Sequence, residues 1–166
     1  MDADGNDQID RQQAFLQVLD ALLNDSVPVD AVGIQAHLLA EDFAERFDAT
    51  QYATFLSSLA DRGVKVLITE LDVQDDGLSE AVAARDRAIA DVYARYLDVT
   101  LQEDAVKAVI AFGLSDRYTW LEEDYPRDDG VPRRPLVYDS NLRPKPARQA
   151  VQLSLTQAKQ RDPLWS

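Results

Sequence analysis

Two short runs carry the side chains with chemical potential. In VKVLITELDV, Glu70 and Asp72 end a nearly unbroken apolar stretch, and upstream, in GIQAHL, Gln35 and His37 end another. An apolar run of this kind reads as a parallel strand buried on both faces. Polar side chains at the C-terminal ends of such strands lie where α/β folds place their chemistry. Strand alternation puts Val66, Ile68, Glu70 and Asp72 on one face, and Gly33, Gln35 and His37 on one face of the preceding strand. If the two strands are neighbours, the imidazole reaches both carboxylates, is oriented by them and keeps Glu70 ionised. A fixed anionic carboxylate is what a covalent displacement at carbon requires.

The same residues admit other readings. A lone His at a strand end also serves as a structural hydrogen-bonder. Glu70 and Asp72 also suit helix caps or a solvated rim. His37, Glu70 and Asp72 together offer a metal-ligand set. A third strand ends in AFGLSDRYTW, with Phe112 and Trp120 eight residues apart. Aromatic faces suit the C–H face of a sugar, and they equally suit a core. The scattered glycines form no phosphate loop, and no Ser stands in a nucleophile-elbow context.

The elements that position these groups follow from periodicity. Residues 9–24 carry Phe15, Val18, Leu19, Leu22 and Leu23 at helical spacing, after a polar loop over 2–8. Residues 29–38 read as a strand. Asp48 opens a helix, with Gln51 in capping-box position, Tyr52, Phe55, Leu56 and Leu59 as its apolar face, and Gly63 at its end. Residues 64–73 are the next strand. Ser79 caps a helix to about Leu97, with Val82, Ile89, Val92, Tyr93 and Tyr96 inward. Residues 106–114 form the third strand, 115–134 a long loop, and 135–139 a short pairing. Pro146 suits the first turn of a last helix carrying Val151 and Leu155, and the tail after Ala158 frays. The order α-β-α-β-α-β-loop-α is alternating α/β with parallel strands.

Composition bounds the rest. The chain has 166 residues, 46% apolar and 28% charged, which suits one globular domain over 1–166. A formal charge of -13 argues against a phosphate backbone as partner. The acid excess is mostly aspartate and Arg outnumbers Lys, a pattern shared by salt-adapted and ordinary acidic proteins. There is no cysteine, so disulfides and thiolate metal sites are excluded. No stretch is long enough to span a membrane, and the N-terminus has no apolar signal region.

Taken together, VDAVGIQAHL, VLITELDV, FGLSDRYTW and RPLVYDSNLRPKPARQAV resemble, in order and spacing across 9–158, the C-terminal half of glycoside hydrolase family 10, the endo-β-1,4-xylanases. The resemblance implies a partial (β/α)8 TIM barrel holding the last three strand-helix units, and a retaining mechanism. It implies Glu70 as nucleophile, His37 and Asp72 as its supporting pair, and Gln35 beside the sugar. Phe112 and Trp120 are implied as the aromatic residues of the cleft. No cofactor or metal is implied. Xylan or xylo-oligosaccharides are the implied ligands, with a second copy or a missing N-terminal half as protein partner, and secretion of the full-length protein is expected.

Two departures qualify the resemblance. Phe112 stands where the family has Trp, so stacking there should be weaker. The family's acid/base glutamate belongs to a fourth-strand motif that these residues do not contain. Glu41, Glu45, Glu122 and Glu123 match no such motif. The 166-residue chain alone is therefore expected to have little xylanase activity. The alternatives are a non-catalytic carbohydrate-binding or self-assembling half-barrel module, or a flavodoxin-like domain unrelated to sugars.

Overall fold

The computed structural model describes residues 5–162. Three parallel strands, β1 (Ala31–Leu39), β2 (Lys65–Gln74) and β3 (Val106–Ala111), form one sheet in the order β1-β2-β3. Helix α1 (Gly5–Asn24) precedes β1. A short helix, α2 (Phe43–Arg46), and α3 (Ala49–Ala60) link β1 to β2, and α4 (Val82–Thr100) links β2 to β3. After β3 come a 3-10 turn (Asp116–Tyr118), a single helical turn α5 (Leu121–Asp124) and α6 (Pro146–Gln157). This is an open sheet of three parallel strand-helix units.

The helices cover one face of the sheet. In α3, Tyr52, Leu56 and Leu59 are buried at helical spacing. In α4, Ile89, Val92, Tyr93, Tyr96, Leu97 and Thr100 are buried. They meet Val66, Ile68, Leu71 and Val73 of the central strand, all in one core cluster. Each fully buried aliphatic side chain there contributes about 1.5–3 kcal/mol. Asp48 caps α3 as its position suggests, accepting from the backbone N–H groups of Thr50 and Gln51 at 2.9 Å. The Gln51 amide turns instead to Gln12 Oε1 at 3.3 Å, so the reciprocal half of the capping box is not made. Pro146 takes the first turn of α6.

Several boundaries differ from the sequence reading. Helix α1 starts at Gly5, so the loop expected over 2–8 is corrected from that residue on, and residues 2–4 lie outside the described ones. Of its apolar stripe, Leu19 is buried while Phe15, Val18 and Leu22 are exposed. The helix leans on α3, through the edge contact of Phe15 with Phe55 at 6.2 Å and the Arg62–Asp20 ion pair, and its other side is uncovered. Helix α4 begins at Val82, not Ser79, and Val82 is exposed in its first turn. Ser79 Oγ accepts from the Ala81 N–H at 3.2 Å just ahead of it. Strand β3 ends at Ala111 because Gly113 takes φ 119°. The expected pairing near 135–139 is made by Tyr138 alone, parallel to Ser115 and antiparallel to Pro144. Residues 159–162 are irregular, and the rest of the tail lies outside the described residues.

Candidate active site

The site depends on an irregularity in β2. The parallel register runs Gly33 with Leu67 and Ile34 with Ile68, then jumps to Gln35 with Glu70 and His37 with Asp72. Thr69 is the extra residue of a bulge, which reverses the alternation of everything after it. Val66 and Ile68 are fully buried under the helices, and after the bulge it is Leu71 and Val73 that are buried there. Glu70 and Asp72 therefore point to the opposite, open face. Strict alternation, which placed Val66 and Ile68 with the two acids, is corrected by this bulge. Gly33 permits it: a Cβ there would stand 3.0 Å from Thr69 Cγ2.

On the open face the expected polar groups converge. Gln35 Nε2 donates to Glu70 Oε1 at 3.0 Å. The His37 ring spans two carboxylates, with Nε2 3.0 Å from Glu70 Oε2 and Nδ1 2.9 Å from Asp72 Oδ1. Trp120 Nε1 donates to the other Asp72 oxygen at 2.7 Å. The Phe112 and Trp120 rings each lie 5.2 Å from the His37 ring and 6.0 Å from one another. Every residue singled out at the strand ends thus enters one cluster.

Burial grades the acids. Asp72 is fully buried, while Glu70 keeps 27% of its side chain exposed and His37 21%. Burial pushes the Asp72 carboxyl above its ordinary value, although the hydrogen bonds from Trp120 and His37 pull the other way. Burial also works against a charged His37, but the bonds to Asp72 and then Glu70 outweigh it, and its pKa is raised. A neutral imidazole has one N–H and would set a lone pair against one of the two carboxylates. Two acceptors therefore favour the doubly protonated ring. The cluster as a whole holds a proton more tightly than its parts do in water.

Among the described residues no group of three His, Cys, Asp or Glu side chains is arranged to hold a metal ion. The donor atoms of His37, Glu70 and Asp72 are bonded to one another instead.

A second cluster, which the sequence reading missed, braces the loop beyond Trp120. Asp75 at the end of β2 is fully buried. It accepts from Arg133 Nη1 at 3.2 Å and from the Arg134 backbone N–H at 3.0 Å. Arg85 Nε lies 3.5 Å from it, and Arg127 donates to its carbonyl. Arg134 and Asp86 form a two-bond pair at 2.7 and 2.8 Å, and buried Lys145 donates to Asp116 at 2.9 Å. Apart from Arg85, which lies in the first turn of the helix that follows Asp75, these partners lie 29 to 59 residues apart in the chain, so no local spacing announces them.

Comparison with known proteins bears on the family and the fold. The model of glycosyl hydrolase family 10 matches residues 3–153. Endo-1,4-beta-xylanase 2 of Aureobasidium pullulans is 31% identical over 140 residues, which is 81% of this chain and 37% of that protein. Endo-1,4-beta-xylanase A of Thermoanaerobacterium saccharolyticum is 30% identical over 144 residues, 85% of this chain and 11% of that protein. The crystal structure of native xylanase 10B from Thermotoga maritima superposes with a TM-score of 0.75 and 27% identity, covering 86% of this chain and 41% of that one. Xylanase 10B from Thermotoga petrophila, solved with xylobiose, gives 0.73 and 27%, covering 85% and 40%. The chain spans about two fifths or less of the length of these relatives. Its fold is accordingly a section of their TIM barrel, and the chain belongs to glycosyl hydrolase family 10.

Proposed function

We propose that this chain carries the nucleophile half of a retaining endo-1,4-beta-xylanase, with Glu70 as the attacking carboxylate. The observation that supports it is the bridging of Glu70 by Gln35 and His37 on an open sheet face beside two aromatic rings. In the first step a Glu70 oxygen bonds to the anomeric carbon of a xylose unit as the glycosidic C–O bond breaks. The leaving oxygen takes the electron pair and needs a proton. In the second step water attacks that carbon, giving its proton to the group that acted as acid in the first step, and Glu70 departs as carboxylate. His37, charged between two acids, orients Glu70 and stabilises the departing anion. Asp72 fixes the ring from the buried side. Gln35 steadies the nucleophile beside the sugar, while Phe112 and Trp120 hold the sugar's apolar face.

The proton donor for the first step has no counterpart in this cluster. Asp72 is fully buried and engaged by two donors, and Glu122 accepts from the Arg133 N–H at 2.8 Å. Two carboxyl groups about 5–5.5 Å apart across the substrate are required. The 166 residues alone should therefore cleave xylan weakly or not at all, and a further polypeptide segment, the missing N-terminal half of the barrel, would supply the acid. Xylan is outside the cell, so the working protein is secreted.

An aryl xylobioside with a good leaving group needs no acid. Incubation with a 2-fluoro-xylobioside inactivator should add one glycosyl group to the peptide holding Glu70, read by mass spectrometry, and Glu70→Gln should abolish the adduct. No adduct on the wild-type chain would sink the nucleophile role. Binding of xylo-oligosaccharides with no adduct would favour the second reading, a carbohydrate-binding half-barrel module.

A further inference from the structure

The aromatic run does not stop at Trp120. Tyr125 meets the Trp120 ring edge-on at 5.3 Å, makes no ring contact with His37 or Phe112 among the described residues, and is 57% exposed. Its hydroxyl makes no hydrogen bond among the described residues. A structural tyrosine in the same fold behaves differently: Tyr93 is buried and donates to the Pro135 carbonyl at 3.0 Å.

The Tyr125 backbone, by contrast, is tightly held. Its N–H donates to the Leu121 carbonyl at 3.1 Å. Its carbonyl accepts from Arg133 Nε at 2.7 Å, and Arg133 Nη2 donates to the same oxygen. Arg133 is itself buried and anchored on Asp75 at 3.2 Å and Asp76 at 2.8 Å. A rigid backbone presenting a large, open ring is the construction of a stacking platform, because the ordering cost is met before the ligand arrives. The fold gains little from leaving that ring in water.

We propose that Tyr125 is an additional sugar platform that extends the cleft outward from Trp120, so that affinity grows with the length of a β-1,4-linked pyranose chain. This rests on the sugar-cleft reading of Phe112 and Trp120. Phe112, Trp120 and Tyr125 then form one wall, from the His37 ring to the loop held by Arg133. The ligand class is an extended, unbranched oligosaccharide, since a short one would be accommodated inside Trp120.

Calorimetric titration of the 166-residue chain with xylobiose and with xylotetraose tests the idea. Tyr125→Ala should weaken xylotetraose roughly three- to tenfold and leave xylobiose unchanged, and Tyr125→Phe should keep the wild-type affinity for both. In the unmutated chain with labelled tyrosine, the Tyr125 ring resonances should move with xylotetraose and stay put with xylobiose. That measurement decides the matter if Tyr125→Ala misfolds. A ring that does not respond to xylotetraose overturns the proposal, as does equal weakening of both sugars, which would make Tyr125 a brace for the cleft. A wild-type chain that binds neither sugar removes the cleft reading itself, an outcome distinct from both.

Discussion

The indole N–H of Trp120 donates to Asp72 Oδ2 at 2.7 Å, joining the end of β2 to a loop 48 residues later in the chain. This bond fixes an aromatic ring against the cluster that holds Glu70. It also fills the one acceptor of buried Asp72 that His37 leaves open. Removing the carboxylate orphans the indole donor and one nitrogen of His37. Asp72→Ala should therefore lower stability by about 1–3 kcal/mol per orphaned buried group. Trp120→Phe should lower it by about 1 kcal/mol beyond any loss of packing. Urea unfolding of both variants and of the double mutant measures the coupling, and strict additivity would show that the bond contributes nothing.

Protonation of this cluster should be visible in the pH dependence of stability. Both His37 and Asp72 have folded-state pKa values raised above their ordinary 6.5 and 3.8. A raised value means that the folded chain holds the proton more tightly than the unfolded one. The stabilisation is complete below each ordinary value and is lost as pH rises through the folded one. For His37 the loss begins above 6.5. Denaturant midpoints should fall as pH rises past 6.5, and the fall should shrink in His37→Gln. An NMR titration of the single imidazole should give a midpoint above the free value, and a midpoint below it would contradict the two-acceptor arrangement.

The brace around Asp75 should be worth more to the fold than its ion pairs suggest individually. Arg85 and Arg133 are almost fully buried beside it, and the Arg85 Nε and Nη1 atoms have no hydrogen-bond partner of their own. Taking away the shared carboxylate leaves buried positive charge without compensation. Asp75→Ala should cost about 3–5 kcal/mol. Limited proteolysis should then cut between Tyr125 and Arg134 first, because that loop hangs on Asp75. Equal protease resistance in the variant and the parent would show that the loop is held by other means.

The parts of this protein that could be read beforehand are those encoded locally. Asp48, Pro146 and the apolar spacing of α3 and α4 act within a turn or two of helix. Gln35, His37, Glu70 and Asp72 were placed together because neighbouring parallel strands bring matching ends to one edge. The bulge at Thr69 could not be read, since nothing in VLITELDV marks which residue leaves the ladder. The outcome nonetheless kept Glu70 and Asp72 on one face, because both follow the bulge. The Asp75 brace was illegible for another reason. Its partners are ordinary arginines, Arg85 in the first turn of α4 and the others in the loop beyond Trp120, and only the closed fold gives them one buried acid to share.

Phe112 offers a direct test of the cleft. It is 40% exposed, touches the His37 ring edge-on, and sits where the resemblance to xylanases calls for a Trp. Phe112→Trp should strengthen xylobiose binding by roughly 0.5–1.5 kcal/mol, through greater contact area and an added N–H donor. Calorimetry gives the answer, and unchanged affinity would mean that the sugar does not pass over this ring.

The open face should also govern association. Strands β1 and β3 each pair only with β2 among the described residues, so each has an edge without a partner. Leu39, Ile110, Phe112 and Leu114 lie exposed at or beyond the strand ends, with Ile110 at 51% and Leu114 at 62%. Exposed apolar groups beside unpaired strand edges favour pairing with another chain. Sedimentation velocity should show association that grows with protein concentration. Ile110→Lys places a charge at the β3 edge without disturbing the buried core. It should shift the population toward monomer while changing stability by no more than about 0.5 kcal/mol. A wild-type chain that stays monomeric at every concentration would mean that the edges are protected by their own twist and by the loops around them. Association that persists unchanged in Ile110→Lys would move the contact elsewhere, with the exposed side of α1 at Phe15, Val18 and Leu22 as the next surface to vary.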